Sequence, residues 1–265
     1  MGIINYGAGL KVLVASKGHP YARDGFSDML DSLPGMVCTV VEQPASQAFI
    51  DPELAADYDA LLFYDMPGVD FSSQPPALVP PPPDLVRNFN ALVEREVGLV
   101  FLHHALASWP LWPELGELIG GRFFYNPQMC RGQQVLDSGY RHDIEQTFTV
   151  VAPEHPVMEG LPARFTLTDE PYLCQVFEDD VQPLMTSDYR FDRSHFFSAQ
   201  HAVTGKMFCN DDWHHPDGSC LAGWTREAGH LRVVYLQPGD TPGTFADHHY
   251  RQLLANAIRW AARRS

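Results

Sequence analysis

The segment that most constrains the fold is an apolar strand that ends at two histidines. Gly98 is followed by four apolar residues, 99–102, and then by His103 and His104. A short apolar run of this kind is typical of a strand that is buried on both faces of a parallel sheet. In open α/β sheets the carboxyl ends of the strands face the crevice where ligands bind. The sequence therefore predicts that His103 and His104 lie at a ligand site.

The chemistry of the two imidazoles leaves several roles open. Histidine changes its charge near neutral pH, so either side chain could act as a base, as an acid or as a metal ligand. A single buried histidine is more often a structural group with satisfied hydrogen bonds. We expect at least one of the pair to be functional.

Apolar strands alternate with amphipathic helical segments along the chain, which predicts βαβ units and a mainly parallel central sheet. We expect an α/β protein in which residues 1–265 form a single domain. Asp84 is predicted to cap the helix that follows a run of prolines. Strands are expected at 11–16, 36–41, 59–65, 98–102, 147–152, 165–167, 181–185, 203–209 and 231–236, and helices near 26–33, 84–93, 114–119 and 247–263.

The composition excludes several classes of partner. The formal net charge of −15 disfavours binding to nucleic acid or to anionic membranes. No apolar run is long enough to span a membrane, and the N-terminus lacks the features of a signal peptide. The five cysteines have no C-x-x-C spacing, which fits reduced thiols in a cytoplasmic protein. The oligomeric state is left open, a homo-oligomer included.

Three other segments carry candidate chemistry. The loop after the first predicted strand contains His19 and Tyr21, and in a doubly wound sheet it could face the same crevice, with an ordinary surface loop as an equal alternative. Asp169 and Glu170 follow a short predicted strand and could orient a histidine or accept a proton, although adjacent acids are often an exposed turn. The segment 211–217 contains two histidines and three aspartates without the spacing of a known metal motif, so a solvated loop is the preferred interpretation.

Several motifs occur in an order that identifies a family resemblance over about residues 11–263. The chain resembles the ThuA-like (trehalose-utilisation) family within the class I glutamine amidotransferase-like superfamily. The motifs are the loop with His19, Gly98–Ala105, Trp112–Leu115, Ile119–Phe123, His155–Pro162, Asp169–Tyr172, Gly223–Thr225, Arg232–Gly239 and Asn256–Ala261.

The resemblance implies a three-layer, flavodoxin-like fold without glutaminase activity. In the amidotransferases a cysteine lies at the turn after the strand equivalent to 99–102, whereas this chain has histidine there, either His103 or His104. The family is linked to the use of trehalose and related disaccharides through 3-keto-sugars. Many relatives have Gly-His after the last strand, but this chain has Gly239-Asp240. An aspartate can bind a sugar hydroxyl or a hard cation, but it cannot act as an imidazole base.

Our functional hypothesis is acid–base or metal-assisted chemistry on a sugar or a 3-keto-glycoside. A carbonyl makes the adjacent C–H acidic, so removal of that proton leads to isomerisation or to β-elimination. The predicted catalytic residues are His103, His104, Asp169 and Glu170. A divalent metal ion is the candidate cofactor, with His19, His103 and Asp240 as its ligands. The predicted substrate-binding residues are His19, Tyr21, Trp109, Tyr172 and Asp240, with Trp112 as a further stacking candidate.

Two alternatives remain open at this stage. A non-catalytic sugar-binding or regulatory domain could keep the fold and lose the chemistry. A metal-dependent hydrolase acting on an ordinary glycoside could use carboxylates from Asp169, Glu170 and Asp240. In each case the expected ligand is a small carbohydrate.

Overall fold

A computed structural model describes residues 9–263, and within them the main sheet has nine strands. The bounds of these strands confirm most of the predicted elements. In chain order the strands are β1 (Leu10–Lys17), β2 (Met36–Glu42), β3 (Ala60–Asp65), β4 (Gly98–Leu102), β5 (Ile144–Val150), β6 (Arg164–Asp169), β7 (Gln182–Ser187), β8 (Leu221–Ala228) and β9 (Leu231–Leu236).

The strand order in this sheet is β6-β5-β7-β8-β9-β4-β3-β1-β2. The five strands from β9 to β2 pair in parallel, which confirms the α/β prediction and confines the parallel pairing to one end of the sheet. The other four strands join by antiparallel pairings. Four successive reversals lead from β9 to β6, so β6 again runs in the direction of β9. The carboxyl ends of β1, β3, β4, β9 and β6 therefore point the same way.

Helices cover both faces of the sheet and complete the three layers. Side chains alternate along each strand, so Val100 packs with the helices at Arg23–Asp31 and His248–Ala261 on one face, while Leu99 packs with the helices at Pro83–Glu94 and Pro113–Ile119 on the other. The helices of the described residues are α1 (Arg23–Asp31), α2 (Ser46–Phe49), α3 (Pro83–Glu94), α4 (Pro113–Ile119), α5 (Ala199–Val203), α6 (Pro242–Ala246) and α7 (His248–Ala261). Single 3₁₀ turns lie at His103–Ala107, Pro156–Met158, Glu178–Asp180 and Arg193–His195.

Two local predictions are wrong. Asp84 does not cap α3, because the helix begins one residue earlier at Pro83; Asp84 lies in its first turn and pairs with Arg87. Residues 203–209 do not form a strand. Ser198 accepts a hydrogen bond from the backbone N–H of His201 and so caps the start of α5. Val203 is the last residue of this helix, and the chain turns after it.

Short strands and turns from the middle of the chain form a wall beside the main sheet. Asp137 is buried there and accepts hydrogen bonds from Ser198 Oγ and Trp213 Nε1, which ties this wall together. The short strands pair as Gly139–Tyr140 with Tyr172–Leu173 and Phe197–Ser198, Gly121–Arg122 with Gln175–Val176, Val69–Asp70 with Ala77–Leu78, and Gln128–Cys130 with Gln133–Val135. Across residues 9–263, no helix is both long and apolar enough to cross a membrane.

Candidate functional site

A pocket of about 410 Å³ opens at the carboxyl ends of the parallel strands. Its volume is that of a small-molecule site, and its lining is mostly apolar and aromatic with a few convergent polar groups. One wall comes from the proline-rich loop and another from α5 and the residues after it. The polar side chains that line it are His19, Gln74, Tyr125, Tyr140, His142, Glu170 and Tyr172.

His103 occupies the turn directly after β4. Its φ angle is 46°, an uncommon value for a residue with a side chain, and the chain continues from it into a 3₁₀ turn. A strained turn between a strand and a helix is the geometry that lifts a catalytic side chain above a sheet. The elbow residue is therefore His103, and His104 follows it. Both imidazoles are fully buried.

Both nitrogens of His103 have hydrogen-bond partners. Nδ1 lies 2.7 Å from the carbonyl oxygen of Gln237, so Nδ1 carries a proton and donates to it. Nε2 lies 3.0 Å from Oε2 of Glu170 and 2.9 Å from the hydroxyl of Tyr172. The Tyr172 ring also stacks on the imidazole. His103 is thus fixed in orientation on every side.

The carboxylate of Glu170 and the imidazole of His103 stabilise each other's charge. Burial disfavours the imidazolium, but the hydrogen bond to Glu170 and the neighbouring carboxylates outweigh burial and raise the pKa of His103 to about 9. Burial likewise opposes ionisation of Glu170, yet the hydrogen bond and charge of His103 hold the pKa of this carboxyl below its usual value. The pair is therefore a buried carboxylate and a buried imidazolium at neutral pH.

His142 is the residue that sequence reasoning missed. Its Nδ1 lies 3.2 Å from Oε1 of Glu170, its side chain is 39% exposed, and it lines the pocket. Glu170 thus bridges one buried histidine and one that faces the pocket. No strand-end pattern marks His142 in the sequence; the only signal was its place after Gly139–Tyr140, in a segment of low periodicity.

His104 contacts Tyr64 and His19 instead of Glu170. Its Nε2 lies 3.0 Å from the carbonyl oxygen of Tyr64, which fixes the proton on Nε2. Its Nδ1 is buried and has no hydrogen-bond partner among residues 9–263. Burial and the nearby imidazoles of His103 and His19 lower the pKa of His104 well below its ordinary value, so the ring is neutral.

The three predicted metal ligands His19, His103 and Asp240 do not share one cluster. The structure divides them between two groups, in which Asp240 lies with His19 and His104 or with His103 and Glu170. The reason is the strand-end turn, which directs His103 towards Glu170 and His104 towards His19. The ring centroids of His19 and His104 are 5.0 Å apart.

Asp169 is placed to hold the loop after β9. Its carboxylate accepts hydrogen bonds from the backbone N–H groups of Glu170, Gly239 and Asp240, at 2.7, 3.0 and 2.9 Å. The side chain is fully buried, and burial raises its pKa. Asp169 therefore positions Asp240, whereas its neighbour Glu170 reaches the pocket.

The predicted aromatic contacts divide between the pocket and the core. Tyr172 lines the pocket. Tyr21 donates a hydrogen bond to Ser16 Oγ and packs against core rings, while Trp109 and Trp112 are buried in the apolar layer beside α3, so none of these three lines the pocket. The solvated-loop prediction for 211–217 is wrong at His215, which is buried with Nδ1 2.7 Å from the carbonyl oxygen of Pro216, whereas His214 is exposed.

The comparisons with known proteins agree on the family and the fold. A family model described as ThuA, trehalose utilisation, matches residues 11–261. No curated protein matches the chain. A ThuA-like protein from Parabacteroides merdae superposes with a TM-score of 0.67 at 17% identity, over 96% of this chain and 90% of that one.

Two further solved structures share the architecture. A ThuA-like protein from Bacteroides uniformis has a TM-score of 0.61 at 20% identity, with 98% of this chain and 95% of that one covered. A protein from Thermoplasma acidophilum described as part of a GMP synthase has a TM-score of 0.52 at 12% identity, with 96% and 95% covered. At these identities the likeness concerns the fold alone, and it confirms the amidotransferase-like architecture.

Proposed function

The chain belongs to the ThuA trehalose-utilisation family, and from that premise we propose that it is an enzyme of acid–base chemistry on a 3-keto-glycoside or related keto-sugar. The observation that carries the proposal is Glu170, a buried carboxylate in the pocket wall that bridges His103 and His142. A histidine oriented by a carboxylate is the usual arrangement of a general base.

The base in this proposal is His142. Nδ1 of His142 lies 3.2 Å from Oε1 of Glu170, so the carboxylate favours a proton on Nδ1, which leaves the lone pair on Nε2. His142 lines the pocket, so a bound sugar can reach this nitrogen. Glu170 stabilises the imidazolium that forms, and His103 keeps Glu170 ionised. His103 itself is fully buried, so in this proposal it does not touch the sugar but positions the carboxylate of Glu170.

The reaction begins with the C–H next to the ketone. Nε2 of His142 takes that proton, and the electron pair of the C–H bond moves into the carbonyl to give an enolate. In isomerisation the proton returns to another atom of the enediol. In β-elimination the electron pair of the enolate expels the glycosidic oxygen, which takes the proton from Nε2 of the His142 imidazolium as the alcohol leaves and an enone forms. Both outcomes depend on the same first proton transfer.

The lining of the pocket suits a sugar. Aromatic rings supply apolar faces for the C–H side of a pyranose, and Tyr172 and Tyr125 both lie in the wall. The hydroxyl of Tyr125 is buried and has no hydrogen-bond partner within the described residues. A buried polar atom without a partner is uncommon, and a sugar hydroxyl would satisfy it.

A cysteine-dependent glutaminase is not consistent with this site. The residue at the elbow is His103, whose two ring nitrogens are held by Gln237, Glu170 and Tyr172. Acyl transfer from glutamine requires an accessible nucleophile at that turn. His103 is neither accessible nor a thiol.

Solvent-deuterium exchange tests the proton transfer directly. A 3-keto-glucoside is incubated with the protein in D₂O, and loss of the C–H signal beside the ketone is followed by NMR. We expect catalysed exchange that falls by about 10²-fold or more in His142→Ala and is unchanged in His230→Ala, an exposed histidine outside the pocket. The parent glycoside, which lacks the ketone, is the substrate control.

Two results would overturn the proposal. Exchange that is equal in wild type and His142→Ala would remove His142 as the base. Saturable binding of the sugar by the wild type without exchange or turnover would instead support a non-catalytic sugar-binding domain.

A further inference from the structure

We propose that the protein binds one divalent transition-metal ion, of the Zn²⁺ class, between His19, His104 and Asp240 at the edge of the pocket. Each of the three residues offers one ligand atom, and these atoms lie within 4.8 Å of one another. Ligands about 2.0–2.1 Å from a tetrahedral ion lie roughly 3.4 Å apart, so rotations of partly exposed side chains close the site.

The unpartnered nitrogen of His104 is the first argument. Nε2 donates to the carbonyl oxygen of Tyr64, which leaves the lone pair on Nδ1. This Nδ1 is buried, and no described residue forms a hydrogen bond with it. Buried polar atoms are nearly always satisfied, so a lone pair in this position indicates a missing partner. The missing partner must be either a metal ion that accepts this electron pair or a group that donates a hydrogen bond to it.

The orientation of His19 is the second argument. Its Nδ1 lies 2.8 Å from the carbonyl oxygen of Pro20, so the proton is on Nδ1 and the lone pair is on Nε2. His19 and His104 thus share one arrangement, in which one ring nitrogen is fixed by a backbone carbonyl and the other forms no hydrogen bond with the residues at 9–263. Metal-binding histidines are usually held in this way, because the second hydrogen bond sets the tautomer and the ring plane.

Asp240 supplies the negative charge of the proposed metal site. Its backbone N–H donates to Asp169, which fixes the loop, while its carboxylate is only 21% exposed. A metal ion takes the lone pair of a neutral imidazole, so two histidine ligands and one carboxylate would carry a net charge of −1, which favours a divalent cation. An aspartate oxygen is a competent ligand for zinc.

The other two clusters fit a metal less well. In the first, Nε2 of His103 is already engaged by Glu170 and Tyr172, so it has no lone pair to offer. In the second, Asp247 uses its carboxylate to cap α7, and His248 is exposed at the start of that helix. Among residues 9–263, the cluster of His19, His104 and Asp240 is the half-buried one in which both imidazoles keep an unpartnered nitrogen; Oδ1 of Asp240 lies 3.9 Å from Nε2 of His103, beyond hydrogen-bond distance.

The ligand set predicts both the metal class and its use. Two histidines and one carboxylate with an open position are typical of catalytic Zn²⁺ and of other divalent first-row ions. His19 lines the pocket, so the open position faces the bound ligand. In the proposed function, on which this role rests, the ion would polarise the ketone oxygen while His142 removes the proton. Binding of the ion itself does not depend on that function.

The test measures metal binding without any sugar. Metal-free protein is titrated with ZnCl₂ by calorimetry, and metal content is determined by mass spectrometry. The visible absorption of bound Co²⁺ reports nitrogen and oxygen ligands independently. We expect one equivalent per chain, an increase in Tm, and at least about 100-fold weaker binding in His19→Ala and Asp240→Asn.

His248→Ala is the matched control, because it removes a histidine from the other exposed cluster. Both ligand variants change partly exposed side chains, so circular dichroism can verify their fold. No binding by the wild type, unchanged binding in His19→Ala and Asp240→Asn, or loss of binding in His248→Ala would each overturn the proposal. Failure of deuterium exchange with stoichiometric, variant-sensitive zinc binding would overturn the sugar chemistry alone.

Discussion

Nε2 of His103 lies 3.0 Å from Oε2 of Glu170, although the two residues are 67 positions apart in the chain. The contact joins the end of β4 to the end of β6, from opposite halves of the sheet. It places a charge pair directly beneath the pocket, and the second oxygen of Glu170 reaches His142. The candidate site is therefore built on one carboxylate that faces two histidines.

Replacing Glu170 by Gln keeps the shape of this residue and removes its charge. We expect deuterium exchange to fall by about 10²-fold or more. We also expect the pKa of His103 to fall, because burial then acts without its counterion. Imidazole NMR resonances followed against pH check the second effect. Glu145→Gln, on an exposed position of β5, is the control, and an unchanged His103 titration in Glu170→Gln would contradict the assignment.

The two histidines bound to Glu170 should respond differently to truncation. His103→Ala leaves the Glu170 carboxylate buried without its main partner, so we expect a loss of about 3–5 kcal/mol in the free energy of unfolding. His142→Ala removes a partly exposed side chain, so we expect a loss of about 1 kcal/mol or less together with the loss of exchange. Urea denaturation measures both variants, and equal destabilisation would contradict this division of roles.

We expect Asp169 to affect zinc binding indirectly, because its carboxylate holds the loop that carries Asp240. In Asp169→Asn one carboxylate oxygen becomes an amide N–H₂, which cannot accept from the N–H of Gly239. We expect zinc affinity to weaken by about 10–100-fold. Asp188→Asn is the control, because Asp188 also accepts a backbone hydrogen bond but lies on an exposed turn. Zinc affinity that is unchanged in Asp169→Asn, measured by calorimetry, would show that the loop does not need this carboxylate.

Asp65 should make the protein less stable as pH rises from about 4 to 6. Burial raises the pKa of Asp65 to about 6, against the opposing hydrogen bond from Gln43 Nε2 at 2.6 Å. The folded state thus binds the proton more tightly than the unfolded state, and its advantage is lost as the pH passes through the folded pKa. A shift of about two pH units corresponds to at most about 3 kcal/mol.

Asp65→Asn removes this titration and keeps an oxygen that can accept from Gln43. We expect the variant to gain stability relative to wild type between pH 4 and pH 7, up to that limit. Urea denaturation at several pH values gives the difference. A difference that is the same at pH 4 and at pH 7 would show that Asp65 is ionised throughout the range in the folded protein.

Local patterns determined most of the framework. The apolar run at 99–102 and the alternation of strands and helices predicted the parallel half of the sheet, because burial on both faces requires such runs. The antiparallel half was harder to predict, since its strands come from a segment of weak periodicity. The error at residues 203–209 arose there, where the Ser198 cap outweighs the β propensity of Val203.

The sequence alone placed His19, His103, His104, Glu170 and Asp240 at strand ends, because a sheet of parallel strands collects its carboxyl ends on one edge. Tertiary structure decided which of them meet. The positive φ of His103 turns successive imidazoles in different directions, so His103 joins Glu170 while His104 joins His19 and Asp240. Tertiary structure also places His142 in the site, although the sequence around His142 has no strand-end pattern. Contacts between side chains that are far apart in the sequence depend on tertiary packing, and local periodicity does not encode that packing.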